Sequence, residues 1–180
     1  MRRIFTIVLT LMLALAMQAQ TTVSFMGVPV KGTPESFRQQ LLMKGCYTDK
    51  NSVLKGVVDG ALSTIIINES NNQVKSVTAI EDEQLANDQI AVARFNRLID
   101  YYKGNPDYTE YESNSYIATD YPVTSQKYIS EEWYYAEFFQ TDPKQRYTKR
   151  MGFKLSDKYG GYRIVRHYDN NNNIDVILPE

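Results

Sequence analysis

Between residues 83 and 103, apolar side chains recur at the spacing of one helix face, and no other stretch limits the fold so tightly. Leu85, Val92, Phe95, Ile99 and Tyr102 follow one another at steps of seven, three, four and three, with Ala91 and Leu98 widening the stripe. Asp88, Arg94, Arg97 and Asp100 fall elsewhere on the same helix. Gly104 offers a left-handed stop and Pro106 forbids resumption, so the pattern predicts one amphipathic helix over 83–103. Such a helix is not stable alone in water, and its greasy face needs a partner surface in the segments on either side.

Those segments read mostly as strands. Residues 23–30 read as a short strand that Gly27 and Pro29 make kinked or an edge. Thr33 and Pro34 open a short helix with a hydroxyl cap, a first-turn proline and Glu35; Phe37, Leu41 and Leu42 supply its buried side and Lys44-Gly45 closes it. The period then changes to two over 54–58, 61–68 and 73–80, with turns at Gly60 and at Ser70-Asn71-Asn72. Three successive isoleucines, Ile65, Ile66 and Ile67, predict a strand covered on both faces. The acids Glu81, Asp82 and Glu83 fall where the long helix begins, where negative charge suits its dipole. Beyond Gly104, strand patterns recur at 108–111, 116–121, 132–139, 150–155, 162–168 and 174–178, with a turn rich in glycine at 157–161. The order predicts an α+β fold in which one short and one long helix cover antiparallel sheet. It admits two helix-plus-meander halves, 23–80 and 82–178, inside one domain of residues 20–180, without a residue-level repeat.

The first nineteen residues read as a signal peptide. Arg2 and Arg3 precede an apolar run at 4–17, short of the roughly 20 residues a helix needs to span a bilayer, and Met17-Gln18-Ala19 makes a cleavage box. The expectation is export to the periplasm or beyond, without stable membrane insertion. A formal charge of −1, made more negative by loss of both arginines, argues against nucleic acid as a partner. One cysteine, Cys46, makes no internal disulfide, so stability has to come from packing. Cys46 itself reads as a buried, inert thiol.

Chemistry has few candidates. His167 is the one histidine; Arg166 and Tyr168 point to the opposite strand face and Val165 shares its own, a setting for packing rather than for a base. A thiol dyad of Cys46 with His167 has no supporting signature. Asp169, Asn171, Asn173 and Asp175, with Glu180, match the oxygen spacing of a calcium loop, but Ile174 stands where the glycine belongs, and the tract reads as a solvated turn. No phosphate loop or cofactor motif is present. The chain is therefore read as a non-enzyme without cofactors, an exported interaction module whose partner is an envelope protein or a glycan. Tyrosine is abundant, with fourteen in the chain. Trp133, Tyr134, Tyr135 and Phe138 form the candidate binding platform, because large amphipathic rings dominate interface energetics when exposed; the alternative is that the same rings form core. The alternative is an envelope enzyme or binder acting on carbohydrate or peptide.

The run from Phe25 through Gly27-Val28-Pro29-Val30 to Gly32-Thr33-Pro34, and the close Gly161-Tyr162-Arg163-Ile164 with Tyr168-Asp169-Asn170, resemble the ends of a group of exported bacterial proteins of this size. That group carries no agreed activity, so the resemblance implies a compartment and no chemistry. The helix from Gly32 to Gly45 ahead of a meander also resembles the fold of the β-lactamase inhibitor protein and of small outer-membrane assembly lipoproteins of the SmpA/OmlA type. Those families bind other proteins, which the likeness implies here too. This chain lacks the lipidated cysteine of the latter and the disulfides of the former.

Overall fold

Pairs of residues with positive φ punctuate the N-terminal strands: Met26-Gly27, Asp59-Gly60 and Asn71-Asn72. Two such residues in succession form a tight turn whose twist matches an antiparallel hairpin. A computed structural model describes residues 22–110, 114, 116–117, 135–140, 150–156 and 161–170 of the chain. The first turn makes a hairpin of β1 (Ser24–Phe25) and β2 (Val28–Pro29), where one kinked strand was expected. Helix α1 (Pro34–Met43) follows as expected, with the Thr33 side chain accepting from the Ser36 amide and with Phe37 and Leu41 buried.

Four strands come next: β3 (Tyr47–Thr48), β4 (Leu54–Val58), β5 (Ala61–Ser70) and β6 (Gln73–Glu81). Helix α2 (Asp88–Gly104) then leads to β7 (Tyr108–Glu110), β8 (Tyr135–Gln140), β9 (Arg150–Ser156) and β10 (Arg163–Asp169). Seven antiparallel pairings join these eight strands into one sheet of order β3-β4-β5-β6-β10-β9-β8-β7. Each helix is thus followed by a four-stranded meander, and the last strands of the two meanders meet at the centre. Among the described residues the two terminal strands of the sheet are only two and three residues long.

The expected stripe on α2 holds: Ala91, Val92, Phe95, Leu98, Ile99 and Tyr102 are buried. Both ends differ from expectation. The helix starts at Asp88, not residue 83, because the Asn87 side chain caps it by accepting from the Ile90 amide at 2.9 Å. Leu85 is buried but lies ahead of the helix, its amide donating to the Tyr162 carbonyl. Gly104 ends the helix without positive φ, so Pro106 and the extended Asn105 do the stopping.

The acidic run is not helix-dipole compensation. Glu81 closes β6, is buried, and pairs with Arg94 at 2.7 Å and Arg166 at 2.6 Å, while Asp82 pairs with Lys55 at 2.6 Å. The broken alternation of β6 also has a local cause. Asn68 faces Ser76 whereas Glu69 faces Val74, so Lys75 is an extra residue and the bulge brings Val74 and Val77 to the same buried side.

Paired residues share a sheet face, and the register therefore sorts the strands. On the helix-covered face Ile65, Val77, Ala79, Ile164, Tyr168, Phe153, Leu155 and Phe138 join the side chains of α2 in one core. Phe95 meets Phe153 edge-on at 5.2 Å, and Tyr102 stacks on Phe153 at 5.6 Å. Cys46 is buried in this core as expected, its Sγ 3.6 Å from Met26 Sδ. It packs over Gly56, where a Cβ would come within 2.7 Å of the sulfur. Among the described residues, no helix is long and apolar enough to cross a membrane.

Candidate interaction surface

Sequence reasoning spread the aromatic platform over four residues, two of which the structure places. Phe138 is fully buried on the helix-covered face, between Tyr102 and Phe153, so it belongs to the core and not to a platform. Strand β8 is apolar on both sides, which hid the face each ring takes. Tyr135 lies on the opposite, outer face, half-buried across Gly152, where an added Cβ would overlap its ring and hydroxyl. Burial raises its phenol above the usual range, and Glu137 adds to the effect. Trp133 and Tyr134 lie outside the described residues.

Around Gly152 the outer face of the C-terminal meander is charged and buried. Arg150 pairs with Glu137 at 2.7 Å; Lys154, His167 and Asp169 share the face, each less than a tenth exposed. His167 Nδ1 lies 3.1 Å from Thr78 Oγ1 on the neighbouring strand. Burial, with Lys154 and Arg150 nearby, pushes its imidazole down to about 4, so it is neutral at physiological pH. Cys46 is on the other side of the sheet with its thiol raised by burial, which rules out the Cys46–His167 dyad. Asp169, the first position of the supposed calcium loop, is instead the last residue of β10, buried opposite Arg150. Asn171, Asn173, Asp175 and Glu180 lie outside the described residues. Among the described residues no group of three His, Cys, Asp or Glu is placed to hold a metal.

On the helix-covered face, an ionic knot joins the two meanders. Arg166, wholly buried, reaches Glu81 at 2.6 Å and Asp59 at 2.9 Å; Arg94 of α2 shares Glu81, and the Tyr102 hydroxyl donates to Asp59. Burial pushes the Tyr102 phenol well above its usual range, with Tyr168 and Asp59 contributing. The hairpin turn at Asp59 is thereby fixed to α2 and to β10. This arrangement supports the fold, and it presents no surface.

The exposed apolar residues of the sheet lie at the other end. On the outer face of β4 and β5, Val57 faces Leu62, and Ile66 lies further along β5 past Thr64, at 61 %, 42 % and 43 % exposure. The triple isoleucine is therefore not covered on both faces: Ile65 is buried, Ile66 is open and Ile67 is half-buried. Beside them Lys55 and Thr64 both bind Asp82, at 2.6 and 2.7 Å. Burial works to raise the Asp82 carboxyl, but these two bonds outweigh it and hold the group below the usual range.

The two strands also differ in length. β4 pairs with β5 only as far as Lys55 opposite Thr64, so among the described residues 65–70 has a partner on the β6 side alone. A groove of about 430 Å³ lies against that free edge, walled by the first turns of α1 and by Ser52 and Val53. The signal for it was the unequal length of the periodic segments 54–58 and 61–68, which becomes an overhang once the turn at Asp59-Gly60 fixes the register. Compared with known protein families, curated proteins and solved structures, the chain shows no significant match to any of them.

Proposed function

We propose that the protein is an exported interaction module whose working surface is the outer face and free edge of β4 and β5, and whose partner is an envelope protein. The observation that carries this reading is that Val57, Leu62 and Ile66 face water on the side of the sheet where Thr78, Arg150, Lys154 and His167 of the neighbouring strands are buried. The solvent face of an antiparallel sheet is ordinarily polar, and several large apolar side chains left open there mark a contact surface. The N-terminal sequence pattern supports export. The described carboxylates on both sheet faces support binding over catalysis, since Glu81, Asp82 and Glu137 are each engaged by a cation.

The test is capture from the cell-envelope fraction with the mature chain as bait. A protein retained by the wild-type chain and lost with the pair Val57→Asp and Leu62→Lys, at unchanged circular dichroism, is the expected result. Retention by both baits, or by neither, contradicts the assignment of this surface.

A further inference from the structure

We propose that the free edge of β5 binds an extended segment of the partner protein by strand addition, in line with β4 and with an acidic residue beside Arg38. The proposal rests on the reading of the protein as a protein-binding module and specifies the mode. Among the described residues, from 65 onward the β5 backbone is paired to β6 on one side only. A row of unpaired amide and carbonyl groups is complementary to another extended backbone and to little else. The groove lies where β4 would continue beyond Leu54, and the turn at 49–53 is what diverts the chain away. That turn is held by the Asp49 carboxylate, which accepts from the Asn51 and Val53 amides at 2.9 Å each. The slot is therefore built into the fold by a rigid turn.

The walls decide between occupants. Ser52 and Val53 close one end of the slot, and α1 flanks it. A single extended segment with both edges free enters such a slot. The β5 strand of a second copy, already joined to its own β6 and carrying its own α1 wall, meets these obstructions twice. Charge specifies the segment further. Arg38 donates from Nη2 to Thr48 Oγ1 at 2.8 Å, and among the described residues no carboxylate pairs with it. The nearby Glu35 carboxylate accepts instead from Gln39 Nε2 at 2.8 Å. The guanidinium thus stands on the groove wall with its charge unneutralised, matched to an acidic side chain or a terminal carboxylate. Ile66, exposed on the outer side of the same edge, offers contact to alternate side chains of the added strand.

The probe is a fluorescein-labelled octapeptide of alternating Val and Thr with one central Asp, tested on the mature chain by anisotropy and by amide chemical shifts. Three companion peptides carry Lys in place of Asp, N-methyl groups on alternate amides of one edge, or N-methyl groups on those of the other. The proposal expects binding with shifts confined to 65–70 and 52–54. It expects about tenfold weakening by N-methylation of one edge only, the worth of one or two lost hydrogen bonds. The Lys peptide binds more weakly than the Asp peptide, and Arg38→Gln abolishes that difference. Three results overturn it: no binding by any peptide, binding insensitive to N-methylation with shifts at Val57 and Leu62, or a concentration-dependent dimer that shifts 65–70 without peptide. The second leaves the protein-binding reading standing, and the envelope capture judges that reading separately.

Discussion

Val57 and Leu62 face each other across β4 and β5 in contact with water, whereas Glu137, Arg150, Lys154 and His167 are buried on the same side of the sheet in the second meander. Both regions are four-stranded meanders after a helix, and they share one continuous sheet. The usual distribution of apolar and charged side chains is reversed between them. Burying charge is costly unless it is paired, which explains the ion pair of Glu137 with Arg150 and the neutral state of His167. Exposing apolar side chains is cheap residue by residue but invites association, which is how a contact surface differs from a core. Strands β4 and β5 thus keep their outer face available, whereas β6 and the second meander use theirs for internal structure.

Substitutions test that division in order of expected effect. Arg166→Met leaves Asp59 with the Tyr102 hydroxyl alone and Glu81 with Arg94 alone, and it should lower stability by about 3–5 kcal/mol in urea unfolding. A loss under 1 kcal/mol would mean the ionic knot does not join the meanders. Protonation comes next. The imidazole of His167 is pushed to about 4 in the folded chain against about 6.5 when free, so between these values the unfolded chain binds more protons. Stability present above pH 6.5 should therefore fall by roughly 3 kcal/mol as the pH drops toward 4, and His167→Gln should flatten this part of the profile. An unchanged profile would place His167 in water.

Gly152→Ala should cost about 1–3 kcal/mol, since the new methyl overlaps the Tyr135 ring, and the double variant with Tyr135→Ala should recover most of it. Leu62→Lys should change stability by less than about 0.5 kcal/mol, as expected of an exposed strand position. A large loss there would show that the first meander buries its outer face as the second does.

How much of this was legible in the sequence depends on the range of the interaction. The α2 stripe was readable because one period governs Ala91 to Tyr102, and the α1 cap because Thr33, Pro34 and Ser36 are neighbours. Glu81 was misread because its partners, Arg94 and Arg166, are distant in the chain, while a helix start lay close by. The β6 alternation failed at the bulge, where one extra residue shifts every later side chain by a face. Phe138 was assigned to a platform because β8 is apolar on both sides and its register with β9 is needed to separate core from outer face. The candidate site was legible only as an imbalance of strand lengths, and the exposure of Leu62 and Ile66 required the register to be known.

The most direct test of the open outer face of β4 and β5 as the working surface is photo-crosslinking in living cells with benzoylphenylalanine at position 62 or at position 101. Leu62 on β5 and Tyr101 on α2 are similarly exposed, at 42 % and 49 %, so reach and reactivity are matched. A discrete crosslinked partner from position 62 and none from position 101 is the predicted result. Equal adducts from both positions, or adducts from position 101 alone, would contradict it.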